Sequence, residues 1–163
     1  MRINGRVWKY GDDINTDVIF PGKYTFSVTD ADRMVNHALE DLDERFRYEM
    51  RPGDIIVAGD NWGCGSSREQ AVKCLKAIGV GAIIAKSFSR IYFRNAINVG
   101  LPVIICPQIV EYVEKGDFLE IDFVNGMIYF EEKKWAFKSL PTFLQSIIDD
   151  GGMLQYLKKV NKE

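Results

Sequence analysis

Three short, wholly apolar runs set most of what this chain can fold into: Ile55-Ile56-Val57-Ala58, Ala82-Ile83-Ile84-Ala85 and Val103-Ile104-Ile105-Cys106. Apolar residues in unbroken succession suit strands that are covered on both faces, whereas a half-exposed strand alternates. Between the runs lie two segments with helical spacing, Ser66 to Ile78 and Ser89 to Val99. In the first, Ala71, Val72, Leu75 and Ile78 fall near one face, and Gly79 suits a left-handed exit. Strand, helix and strand in this order predict a mostly parallel sheet covered by its crossover helices.

The flanks read differently. A strand over Ile3 to Trp8 leads into the polar loop Gly11 to Asp17, a brief extended stretch Val18-Ile19-Phe20 and a turn at Pro21-Gly22. Thr29 is placed to cap a helix over Asp30 to Leu39, with acidic residues in its first turn. Charge dominates Glu40 to Arg51, which is expected on the surface. After Pro107, Leu119 to Phe123 and Met127 to Phe130 alternate around Asn125-Gly126, a strong hairpin signal. Pro141 opens a last helical segment that Gly151-Gly152 interrupts before Met153 to Val160.

Composition narrows the function. A chain of 163 residues with 47% hydrophobic and 27% charged residues reads as one compact domain spanning 1–163. A net charge of -2 lacks the basic excess of a nucleic-acid binder. The charged, glycine-broken start and the absence of a spanning apolar run point to no membrane and a cytoplasmic location. Cys64, Cys74 and Cys106 are too scattered for a metal site within the chain, and His37 is the only histidine.

Most of the chemistry lies in Gly59-Asp60-Asn61-Trp62-Gly63-Cys64-Gly65-Ser66-Ser67-Arg68-Glu69-Gln70-Ala71, which joins the first apolar strand to its helix. Gly63 and Gly65 allow a close backbone approach. The residues after them support two readings. Ser66 and Glu69 have capping-box spacing, a purely architectural role. Ser66, Ser67 and Arg68 also surround a helix entrance, where amides, hydroxyls and a guanidinium suit a small polyanion. A P-loop would need Gly-Lys before Ser or Thr, and the third glycine of a dinucleotide fingerprint is replaced by Arg68. The Gly-x-Ser-x-Gly elbow is absent, and a Cys64–His37 pair has no orienting third group.

The stretch Asp60 to Ala71 resembles the signature of the swivelling domain of the aconitase superfamily, which also occurs as a free-standing small subunit of isopropylmalate and homoaconitate hydro-lyases. Lys86-Ser87-Phe88-Ser89-Arg90-Ile91-Tyr92-Phe93-Arg94-Asn95-Ala96-Ile97-Asn98-Val99-Gly100-Leu101 and Asn15-Thr16-Asp17-Val18-Ile19-Phe20-Pro21 match further blocks in the same order. The family form usually carries His where Gln70 stands. The resemblance implies an α/β, aconitase-like swivelling β/β/α domain with a central mostly parallel sheet and an additional β hairpin.

It also implies a division of labour. Dehydration and rehydration would interconvert 2-isopropylmalate and 3-isopropylmalate, a step of leucine biosynthesis. A [4Fe-4S] cluster on a large partner subunit would act as Lewis acid, and this chain would bind no cofactor or metal. Ser66 would be the base, Ser67 would hydrogen-bond the substrate, and Arg68 would pair with a carboxylate. Tyr24, Thr25, Phe26 and Ser27 would form a specificity loop for a branched hydroxy-diacid, because homoaconitate-type enzymes tend to place an arginine there. Lys86 and Arg90 are divided between interface and substrate roles. The alternatives are a homoaconitase-type small subunit and a non-catalytic anion-binding regulatory domain, and self-association of the chain is left open.

Overall fold

The computed structural model describes residues 1–162. Strands β1 (Arg2–Lys9), β2 (Ile55–Ala58), β3 (Ala82–Ala85), β4 (Val103–Ile105), β5 (Phe118–Asp122), β6 (Met127–Phe130) and β7 (Lys133–Ala136) form one sheet in the order β4-β3-β2-β1-β5-β6-β7. The pairs β1–β2, β2–β3 and β3–β4 are parallel. From β1 outward, β5, β6 and β7 add antiparallel strands. The expected hairpin is thus two of three antiparallel strands. β7 escapes the sequence reading because Lys133 and Lys134 give it no apolar alternation.

The three apolar runs are buried at every position but Ile105, because the sheet is covered on both sides. Ile56, Ala58, Ile83, Ala85 and Val103 face one core, and Ile55, Val57, Ala82, Ile84 and Ile104 face the other. The helices are α1 (Thr16–Ile19), α2 (Ala31–Met34), α3 (Phe46–Glu49), α4 (Gln70–Ile78), α5 (Arg90–Val99), α6 (Pro107–Val110), α7 (Thr142–Asp149) and α8 (Met153–Val160). Ala71, Val72, Cys74 and Leu75 of α4 and Tyr92, Ala96 and Ile97 of α5 cover the first core. α6 supplies Ile109 and Val110 to the second. Among the described residues no helix is long and apolar enough to cross a membrane.

Several local expectations need correction. Val18 and Ile19 are helical, not extended, because Asn15 accepts a hydrogen bond from the Val18 amide at 3.0 Å and caps α1. Asp30, not Thr29, caps the next helix, which shortens to Ala31–Met34 and passes into a 3-10 turn over Val35–His37. The charged stretch from Glu40 is not wholly on the surface: Phe46 is fully buried, edge-on to Trp8 at 5.1 Å between ring centroids. The hairpin connection spans residues 123–126, with Gly126 alone at positive φ, because Asp122 accepts bonds from the Val124 and Asn125 amides.

The left-handed exit expected at Gly79 forms, and Gly100 makes a second that the sequence reading did not name. Gly79 ends α4 at φ 101° and Gly100 ends α5 at φ 81°. Their left-handed conformation lets each amide close on the last carbonyls of its helix.

Candidate functional site

In a parallel sheet the loops leaving the carboxyl ends of the strands share one rim. Here the rim holds residues 10–15 after β1, 59–69 after β2 and 86–89 after β3. All three matching blocks reach it.

The middle loop is fastened on both sides. Toward the β1 loop, Gly59 donates to the Gly11 carbonyl at 3.1 Å, and Gly63 donates to Ile14 at 2.7 Å. The Asp13 amide donates to Asp60 at 2.8 Å and the Thr16 amide to Cys64 at 2.9 Å. Thr16 Oγ1 then donates to the Ser66 carbonyl at 2.8 Å. Toward the β3 loop, Trp62 donates to the Ser87 carbonyl at 3.1 Å, and Ser89 returns a bond to Trp62 at 2.9 Å. Ser89 Oγ donates to the Gly63 carbonyl at 2.7 Å while accepting from the Tyr92 amide as the cap of α5. The short-range order of a β ladder therefore continues past the strand ends into the loop.

Gly63 is required at its place. It has φ 77°, and a Cβ there would lie 2.2 Å from the buried Tyr92 ring. Gly65, at φ 94°, passes beside Asn15 and Thr16, where a Cβ would make ordinary contact, so its requirement is conformational.

The helix after the loop begins at Gln70, four positions later than expected, and Glu69 precedes it without a side-chain cap. The Ser66–Glu69 capping box does not form. The Ser66 carbonyl instead accepts from Thr16 Oγ1, which ties this residue to the start of α1. Glu69 pairs with Lys73. Ser66 and Ser67 are exposed, and their amides donate to no group among the described residues.

Arg68 is mostly covered, with 11% of its side chain accessible. Its guanidinium forms an ion pair with Asp17 and a hydrogen bond to Thr25 Oγ1 at 3.3 Å, while its Nε is buried without a partner among the described residues. Gln70 Nε2 reaches the Thr25 carbonyl at 3.5 Å. The expected specificity segment thus touches the serine loop through Thr25. Tyr24 stacks on His37 with ring centroids 3.7 Å apart, and Phe26 stands almost wholly in solvent, 95% exposed. Ser27 is exposed. Sequence reasoning missed Thr16 and Asp17 as individual contributors, although both lie in a matching block.

Lys86 is engaged by Glu111 in an ion pair. Cys74 is buried in one core, where burial pushes its thiol well up, and Cys106 lies in the other. Cys64 is in the loop. These cysteines do not converge, and no group of three or more His, Cys, Asp or Glu among the described residues could hold a metal ion. The chain's own residues do not fit an iron–sulfur cluster.

Comparison with known proteins adds to this geometry. Residues 14–108 match the aconitase C-terminal domain family. The 3-isopropylmalate dehydratase small subunit of Thermodesulfovibrio yellowstonii is 45% identical over 98% of this chain and 95% of that protein. The 2,3-dimethylmalate dehydratase small subunit of Eubacterium barkeri is 44% identical over 99% and 100%. A crystal structure of 3-isopropylmalate dehydratase from Methanocaldococcus jannaschii superposes with a TM-score of 0.92 at 44% identity, covering 99% of this chain and 96% of that one.

Proposed function

The chain belongs to the aconitase C-terminal domain family, among the small subunits of its dehydratases, and from that membership we propose that it serves as the small subunit of 3-isopropylmalate dehydratase. It would act as one domain, in the cytoplasm, beside a cluster-bearing large subunit. The observation that carries this reading is the meeting of three separated sequence blocks on one rim around Ser66.

In this reading the chain handles the proton and one carboxylate. Ser66 Oγ takes the carbon-bound proton of 2-isopropylmalate or 3-isopropylmalate and returns it on rehydration. A serine is an effective base only when its alkoxide is stabilised. The free amides at Ser66 and Ser67 and the Arg68 charge favour an anion there. Ser67 donates to the substrate. Asp17, itself 67% exposed, occupies Arg68 until a substrate carboxylate exchanges with it, and a bidentate fork then orients the diacid. The departing hydroxyl is received outside this chain, because its cysteines do not converge. Solvent exposure of Ser66 and Ser67 also calls for a partner that closes the site, since preorganised charge acts strongly only in a dry cavity.

Substrate choice rests on what the loop lacks. No arginine lies between Tyr24 and Asp32 to pair with a third carboxylate, and leaving one unpaired on closure is costly. Tyr24 and Phe26 offer apolar surface to a branched hydrocarbon. The likeness to a 2,3-dimethylmalate dehydratase subunit supports that compound as a second candidate, also a malate with apolar branches. Steady-state comparison of 3-isopropylmalate, 2,3-dimethylmalate and homoaconitate with the reconstituted complex tests the reading. Highest kcat/KM for 3-isopropylmalate is expected, and preference for homoaconitate would overturn it.

A further inference from the structure

An apolar groove of about 450 Å³ runs beside the serine loop, walled by Phe88, Phe93, Ile97, Leu144, Ile147 and Met153. Ile105, at the end of β4, contributes a half-exposed side chain to it. Arg90 and Arg94 stand on its edge. The same two arginines, with the half-exposed Ile91, also line a hollow that contains Gly65 and Ser89. The groove and the serine loop are therefore neighbours across one turn of α5.

The arginines are placed against their local interest. Arg90 is the first residue of α5, where the helix dipole disfavours a cation, and α5 has no acidic residue in its first turn. Arg94 stands at i+4 from it, so the two like charges repel. Both are exposed, and neither forms an ion pair among the described residues. Local frustration of this kind at the lip of an apolar groove suits a partner that brings carboxylates.

We propose that this groove is the seat of the large subunit, which inserts an apolar segment flanked by acidic residues that pair with Arg90 and Arg94. The inference rests on the small-subunit reading above and locates where that partner binds. Arg90 and Arg94 line both the hollow at Gly65 and the groove, so a partner that covers the serine loop along this edge continues into the groove. A second copy fits less well: a twofold contact would set the arginine pair on the same seam as its own image.

The test uses the full chain and its cognate large subunit, titrated at low concentration with dissociation constants measured directly. Ile105→Glu and the double variant Arg90→Glu/Arg94→Glu are each expected to raise Kd by about tenfold or more. At saturating small subunit, Ile105→Glu should restore turnover to within about twofold of the parent, since hot-spot loss acts on association. Unchanged Kd in both variants would overturn the proposal. So would a higher substrate KM at unchanged Kd in the arginine variant, which would make Arg90 and Arg94 substrate ligands. Loss of a homo-oligomer in Ile105→Glu at unchanged Kd for the large subunit would give the groove to a second copy. Failure of the parent chain to bind any large subunit would instead remove the small-subunit reading itself, a result distinguishable from an intact complex that ignores these variants.

Discussion

The Thr16 hydroxyl donates to the Ser66 carbonyl at 2.8 Å across 50 positions of sequence. This bond ties Ser66 to the start of α1, and both serines lie before α4, which begins at Gln70. Thr16 is buried, so it sets the position of Ser66 without meeting solvent. Replacing Thr16 by Val keeps shape and removes the donor. Loss of one such bond is expected to cost about 1 kcal/mol, a fall in Tm of about 2–4 °C. Turnover should drop by about tenfold or more with little change in KM, because misplacing a reacting group acts on the chemical step. Thermal melts and steady-state kinetics check both, and parental kcat in Thr16→Val would deny Thr16 any positioning role.

Ser66→Ala removes an exposed hydroxyl and leaves the loop's backbone bonds in place. Turnover in the reconstituted complex should fall about a hundredfold or more, the usual weight of a general base, with folding unchanged. Arg68→Lys keeps the charge but cannot hold both Asp17 and Thr25 in one plane. Its chief effect should be a higher KM. Near-parental turnover for Ser66→Ala would dismiss it as the base.

The two neighbours in the specificity segment should respond differently to arginine. Phe26 stands in solvent, so Phe26→Arg disturbs no packing and offers a third carboxylate a partner. A relative gain in kcat/KM for homoaconitate of about tenfold is expected, the worth of one charge-assisted pair. Thr25→Arg sets a second guanidinium against Arg68 and should impair every diacid. A Phe26→Arg enzyme with unaltered substrate ranking would release this segment from selectivity.

Asp54 ties β1 to β2 away from the site. It accepts from Trp8 Nε1 at 2.9 Å, from the Arg51 amide at 2.9 Å and from Arg6 Nη2 at 2.9 Å. Burial pushes its carboxyl up, but the bonds from Trp8, the Arg51 amide and Arg6 outweigh that and leave it below the usual carboxylate value. A depressed pKa contributes stability above the unfolded value, about 3.9, and that contribution is lost as pH falls through the folded value. Asp54→Asn should cost about 2–3 kcal/mol at neutral pH. The gap to the parent should narrow in acid, below about pH 4. Denaturant melts across pH check this, and a gap constant into acid would mean that the Asp54 charge contributes nothing.

What the sequence determined by itself is local in origin. Unbroken apolar runs announced doubly covered strands, Gly79 marked the exit of α4, and three motif blocks named the family and the serine loop. Tertiary structure decided how those blocks meet. α4 began only at Gln70, with Ser66 tied to Thr16 ahead of it, and the charged 40–51 stretch turned inward because Phe46 found Trp8 and Tyr10. The antiparallel β7 formed on pairing to β6 despite its lysines. In the site, Asp17 and Thr25 reached Arg68, and Ser89 reached Gly63. Periodicity and capping act over a few residues, and a sequence displays them directly. Hydrogen bonds and ion pairs across long separations exist only once the sheet has brought its loops to one rim.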